Sequence, residues 1–128
     1  MTEPGTQGTQ DKLDAAPLVT RLLEKSLNSK VDWKPTADRQ AFVTSVGGGE
    51  LSFKISLVST TDIDDFGQPE SVEVPRLDML DEKGKVLWYI HTGDVPGGKL
   101  HHLYDAARRI GNRLDERLAS AMSALDKL

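Results

Sequence analysis

The chain has 128 residues, with 16 basic and 20 acidic side chains, a formal net charge of −4 and no cysteine. This length fits one domain with a single core, and 38% hydrophobic with 28% charged residues is typical of a globular protein. The missing cysteines exclude disulfides, thiol catalysis and Cys-based zinc sites, and they fit a reducing compartment. With neither a long apolar run nor a secretory signal at its start, the sequence predicts a cytoplasmic protein that does not enter membranes.

The charges are unevenly distributed. Between Thr60 and Gly84 eight acids stand against two bases, whereas from Lys99 onward there are six bases and four acids. No segment reaches the basicity of a dedicated nucleic-acid binder, so nucleic acid is not expected as the principal partner.

The chain begins with a polar segment and a helix. Residues 1–12 are almost without apolar side chains, which predicts a disordered tail, and residues 13–128 are expected to form one α+β domain. In "DAAPLVTRLLEKSLN" the apolar residues recur at helical spacing, with Pro17 in the first turn, where its missing N–H costs little.

The middle of the chain changes to a period of two. "RQAFVTSV" and "ELSFKISLV" alternate in polarity on either side of Gly47–Gly49, which predicts a hairpin with a glycine turn. After an acidic loop, "SVEVPRLDML" and "KVLWYIH" predict a second hairpin. Pro75 cannot donate to a strand ladder, so its strand should lie at an edge or carry a bulge there.

From about Lys99 one apolar stripe continues to Leu125 over roughly seven turns, which predicts a single long helix. The predicted fold is therefore a four-stranded antiparallel sheet of two hairpins. An N-terminal and a long C-terminal helix pack on one face, in the order α-β-β-β-β-α. The long helix would approach about 40 Å, more than such a sheet covers. Its distal end must pack on the first helix, bend, or meet a partner chain.

The stretch "LHHLYDAARRIGNR" contains the candidate binding residues His102, Arg109 and Arg113, which fall in one row opposite the apolar stripe. Most charges on this face have a partner of opposite sign three or four residues away, as on any solvated helix. The spacing predicts that Asp105 pairs with Arg109 and that Arg113 pairs with Glu116. Two interpretations stay open, a solvated helix face and a patch that binds an anion or an acidic partner.

Metal binding has weak sequence support. His101 and His102 are adjacent, so on a helix they point about 100° apart and cannot share one ion. Asp62, Asp64 and Glu73 match positions of an EF-hand-like calcium loop, but Phe66 replaces an oxygen donor, and the flanking segments are predicted strands. We expect neither a metal nor a cofactor, with this acidic loop as the remaining calcium candidate.

Three further residues are interface candidates. Trp33 lies in a connector, where it either fills the edge of the core or is exposed as an anchor. Leu87 and Tyr89 fall, with Val43 and Val58, on the sheet face predicted to be free of helices. Such an apolar face favours self-association or a protein partner.

The first helix, "WKPT" leading into "AFVTSV", and the "LHHLYDAARR" helix together resemble small bacterial proteins of unknown function. Such proteins are found especially in high-GC Gram-positive bacteria and their mobile elements. The resemblance covers most of residues 15–118, carries over a sheet followed by a helix, and implies no activity.

These observations lead to one hypothesis and one alternative. No nucleophile, acid–base or phosphate-loop motif is recognisable, so we expect a non-enzymatic interaction or regulatory module that binds a protein and forms a homo-oligomer. The alternative is an antitoxin-like or regulatory protein that contacts nucleic acid through the basic patch on the C-terminal helix.

Overall fold

The computed structural model describes residues 14–128, which form three α-helices and five strands. The predicted tail, residues 1–12, lies outside the described residues. The helices are α1 (Ala16–Leu27), α2 (Lys99–Gly111) and α3 (Leu114–Asp126). The strands are β1 (Lys34–Pro35), β2 (Ala41–Val46), β3 (Leu51–Ile63), β4 (Pro69–Leu80) and β5 (Val86–His91).

The strands form one antiparallel sheet in the order β1-β2-β3-β4-β5. The α+β class and the two hairpins are confirmed, but the predicted count of four strands is wrong. The additional strand, β1, has only two residues, and Lys34 lies opposite Val43. Two residues, one of them proline, are too few to show an alternating pattern.

One row of side chains organises the core. The register places Phe42, Ile55, Leu77 and Ile90 side by side across β2 to β5, and each is at most 1% exposed. Helix α2 contacts β1 to β4, and α1 packs against α2. The two helices complete the same buried cluster with Val19, Leu22, Leu100, Leu103 and Ala107. Helices α1 and α2 therefore share one hydrophobic core with one face of the sheet, as predicted.

Two local backbone predictions are confirmed. All three glycines of Gly47–Gly49 have positive φ, which the turn between β2 and β3 requires. Pro75 immediately precedes Arg76, which is the first residue of β4 that pairs with β5. At that point β4 is an edge strand, where a missing N–H is tolerated.

The acidic segment was predicted to be a loop, and this is wrong. It forms an extension of the β3–β4 hairpin. Pairing continues without interruption to Ile63 opposite Pro69, and the turn is confined to residues 64–68. The side chains of this two-stranded extension are largely exposed, including Phe66 at the turn (87%). Neither face of the extension packs on the core, so its sequence is rich in Ser, Thr and acidic residues and has no clear alternation of apolar and polar side chains. For this reason the two strands were not predicted here.

The predicted long C-terminal helix is interrupted. Helix α2 ends at Gly111, and Arg113 has a left-handed backbone with φ of 52°, after which α3 begins. A Cβ on Gly111 would lie 2.5 Å from Cδ1 of Phe42, well inside van der Waals contact. Glycine at this position therefore lets α2 approach the sheet closely immediately before the helix is interrupted.

The substitution Gly111→Ala is expected to force the Phe42 ring or α2 to move and to lower the free energy of unfolding by about 1–3 kcal/mol. Urea denaturation measures the change. Gly93→Ala is the matched control, because nothing lies within 4 Å of a Cβ there and its φ is not in the left-handed region. Equal stability of the two variants would contradict the close contact.

Trp33 is 1% exposed and belongs to the core, so its alternative assignment as an interface anchor is wrong. Its indole Nε1 donates a 2.8 Å hydrogen bond to Oγ of Ser26, which donates in turn to the carbonyl of Leu22. The buried serine thus satisfies the indole N–H and joins the connector to α1.

Replacement of Ser26 by alanine leaves the buried indole N–H of Trp33 without its acceptor. We expect a loss of about 1–3 kcal/mol in the free energy of unfolding, measured by thermal and urea denaturation. Ser123→Ala, at an exposed position of α3, is the control and is expected to change stability by less than about 0.5 kcal/mol. A loss as small for Ser26→Ala as for the control would show that this hydrogen bond contributes nothing.

Candidate functional site

Helix α3 has no buried residue, unlike α1 and α2. Its large apolar side chains are exposed: 63% for Leu118, 55% for Met122 and 62% for Leu125, while Leu114 is half-buried at the start of the helix. The prediction that both terminal helices pack on the sheet therefore holds only as far as Gly111. A 13-residue helix is marginal on its own, and helices in proteins are normally stabilised by burial of an apolar face.

These side chains lie along one face of α3. At 100° per residue, Leu114, Leu118, Ala121, Met122 and Leu125 fall within an arc of about 100°. We call this face the terminal stripe. The opposite face carries Glu116, Ala119, Ser120 and Ser123. Such segregation is typical of a helix that packs against something, yet no residue of α3 is buried.

The predicted basic row of His102, Arg109 and Arg113 is only partly formed. His102 and Arg109 are exposed residues of α2, whereas Arg113 lies in the break between the two helices. The carboxylate of Asp115 accepts hydrogen bonds from Nε and Nη2 of Arg109 at 2.9 and 2.7 Å. Arg113 Nη1 lies 3.4 Å from Oε2 of Glu116, at the predicted spacing of three residues.

These pairs are mostly exposed, so each stabilises the fold by at most about 1 kcal/mol. They nevertheless offset two of the positive charges on which the anion-patch interpretation depends. Binding of an anion or of nucleic acid at His102, Arg109 and Arg113 stays a hypothesis, without support from this charge arrangement.

Beside this row a cleft of about 470 Å³ separates the end of α1 from the junction of α2 and α3. Leu27, 69% exposed, lines it together with Ala106 and Ile110, and the charged side chains around it include Asp32 and Arg109. A smaller cleft of about 300 Å³ adjoins it and includes His102. The mixed lining offers an apolar surface bordered by both signs of charge.

The sheet face opposite the helices is less apolar than predicted. Tyr89 and Leu87 are 48% and 51% exposed, and Leu87 is the extra residue of a bulge in β5. The guanidinium of Arg76 stacks 4.3 Å from the centroid of Tyr89, and its Nε donates a 2.7 Å hydrogen bond to Asp78. Because charged groups cover part of this face, Leu87 and Tyr89 do not form a continuous apolar patch.

The calcium candidates do not converge. Asp62 lies opposite Glu70, whereas Glu73 lies opposite Ser59, three residues away along the hairpin, which corresponds to about 10 Å. Asp64 Oδ1 accepts hydrogen bonds from the backbone N–H groups of two residues in the turn. Within residues 14–128, no group of three His, Asp or Glu side chains is arranged to hold a metal ion.

Tyr104 is the one group in the described part of the chain with a clearly displaced pKa. Burial raises the pKa of its hydroxyl, and the nearby Arg108 partly opposes this shift. The ring packs edge-on against Phe42, with centroids 6.0 Å apart. A phenol with a raised pKa remains protonated at neutral pH, so Tyr104 has a packing role beside the contact between Phe42 and Gly111.

In comparisons with known proteins, no family model, no curated protein and no solved structure matches this chain. Of the helices in residues 14–128, none is both long and apolar enough to cross a membrane.

The sequence allowed the long helix to bend, but the place of the interruption before α3 was not predicted. Gly111 and Asn112 are weak helix formers within an otherwise helical pattern, and they were the available signal. The signal was masked because the apolar spacing continues in register from Ile110 to Leu114. Only the position of Phe42 in the sheet shows why the helix needs a glycine at this point.

The left-handed backbone at Arg113 gives a test of this junction. Arg113→Gly relieves the steric cost of a Cβ at φ of 52°, and we expect it to be more stable than Arg113→Ala by about 0.5–1 kcal/mol. Both variants lose the ion pair with Glu116, so their difference in thermal denaturation reports the backbone alone. Greater stability of the alanine variant would show that residue 113 is helical and that the C-terminal helix is continuous.

Proposed function

We propose that this protein is a non-enzymatic, cytoplasmic protein-interaction module that binds its partner through the terminal stripe of α3. One observation carries the proposal. A helix without a buried residue presents Leu118, Met122 and Leu125 on one face to solvent. Recognition by an amphipathic helix uses anchors at this spacing, inserted into an apolar surface of the partner.

The size of the stripe sets the expected strength of binding. Burial of the exposed part of each of these three side chains contributes roughly 1–2 kcal/mol, and burial of the matching partner surface contributes a similar amount. Association costs at least about 4 kcal/mol in lost translational and rotational freedom. The balance corresponds to micromolar or weaker affinity, which suits reversible assembly.

Two other surfaces, the cleft beside α1 and the sheet face with Arg76 and Tyr89, are less suited than the terminal stripe to bind an apolar partner. The cleft has charges of both signs, and the sheet face is covered in part by an ion pair. The lack of cysteine fits the cytoplasmic location included in this proposal.

Photo-crosslinking in the cells that produce the protein tests the proposal. A photoreactive side chain in place of Leu118 is expected to give a covalent adduct with a protein. The same side chain in place of Ser123, on the opposite face of α3, is the matched control and is expected to give much less. Equal adduct yields at the two positions, or none at either, would contradict docking through the terminal stripe.

A further inference from the structure

We infer that the partner of the terminal stripe is a second copy of this chain, whose α3 packs antiparallel to the first across a two-fold axis. The inference rests on the proposed function and adds the identity of the partner. It depends on the spacing within the stripe, on the fit between two copies of it, and on the position of α3 at the edge of the fold.

The spacing is that of a coiled-coil seam. Leu114, Leu118, Ala121 and Leu125 are separated by four, three and four residues, which is the a/d pattern of paired helices. A flat protein surface does not require this spacing, whereas another helix with the same repeat does. The chain itself supplies such a helix, and two-fold dimers are the commonest assemblies of identical chains.

The fit between two copies selects the antiparallel orientation. With the axis between residues 119 and 120, Leu118 of each helix lies opposite Ala121 of the other, and Leu125 lies opposite Leu114. Every layer then contains at least one leucine, and the large side chain fills the space beside the small one. A parallel pair would place Ala121 against Ala121 and leave a void between two leucine layers.

Electrostatics do not oppose this pairing. The positions that flank the seam are Asp115, Arg117, Met122 and Ala124, of which only two are charged and of opposite sign. Antiparallel packing also places the N-terminus of each helix beside the C-terminus of the other, which favours the alignment of the two helix dipoles.

The position of α3 makes the stripe accessible to a second copy. The helix contacts the rest of the fold mainly through α2, and its first turn is held by the Arg109–Asp115 pair. A seam of 13 residues is only about 20 Å long. It therefore belongs to the small interfaces, below about 1,200 Å² in total, that give concentration-dependent dimers.

Sedimentation velocity of the purified protein tests the inference. We expect a shift from monomer to dimer as concentration rises from about 5 to about 500 µM, the range set by the expected affinity. Leu118→Ser is expected to weaken dimerisation at least about tenfold. The control Ala119→Ser introduces the same residue on the opposite face and is expected to leave it unchanged. Circular dichroism checks that both variants keep their helices.

Cysteine substitutions distinguish the two orientations, because the chain has no cysteine of its own. In the antiparallel pair residue 114 of one copy lies opposite residue 125 of the other, so a mixture of Leu114→Cys and Leu125→Cys is expected to form an interchain disulfide, whereas Leu114→Cys alone is not. A disulfide-linked dimer of Leu114→Cys alone would overturn the antiparallel arrangement, because only the parallel pair places residue 114 beside residue 114 of the other copy.

The inference would be overturned if the protein sediments as a monomer throughout the concentration range. It would also be overturned if the Leu118→Ser variant dimerises as strongly as the unchanged protein. A monomer whose photo-crosslink at position 118 joins a different protein would overturn the second copy as partner while keeping the proposed function. A monomer without any position-dependent adduct would overturn both.

Discussion

The close contact between Gly111 and the ring of Phe42 determines how α2 lies on the sheet. It brings α2 against the central row of the sheet, where Leu103 and Ala107 are fully buried. A side chain at residue 111 would hold the helix away from the sheet. The same glycine is a weak helix former at the point where the sheet ceases to support the helix. Close packing and the end of α2 therefore have one local cause.

The consequences extend to α3. Beyond Gly111 the chain passes through a left-handed residue, Arg113, and resumes as a helix that buries nothing. The apolar pattern nevertheless continues, because Leu118 and Leu125 extend the stripe that faces the sheet in α2. Exposed leucines repeated at helical spacing contribute to stability only when something covers them. For this reason the proposed function and its partner are both located on α3 and not in the clefts.

Much of the fold could be predicted from the sequence, because the core segments have clear periods. The alternation in "ELSFKISLV" and the helical spacing in α1 follow directly from burial of one face, and both elements are found. The β3–β4 extension and β1 could not be predicted in this way. The former packs neither face on the core, and the latter is too short to show a period.

The candidate site could be predicted only in part. Sequence spacing showed Arg113 paired with Glu116, but Arg109 pairs with Asp115 and not with Asp105, because α3 does not continue the line of α2. Pair spacings along a helix hold only while the helix is continuous. The exposure of the terminal stripe could not be predicted either. The sequence pattern of an apolar stripe is the same whether the stripe packs within the fold or is exposed to solvent.

Hydrogen–deuterium exchange at two protein concentrations shows whether two copies of α3 cover each other. If two copies of α3 cover each other, backbone amides of residues 118–126 exchange more slowly in the concentrated sample, while those of α2 exchange at the same rate in both. Identical exchange of α3 at both concentrations, at the rate of an unsupported helix, would contradict the account.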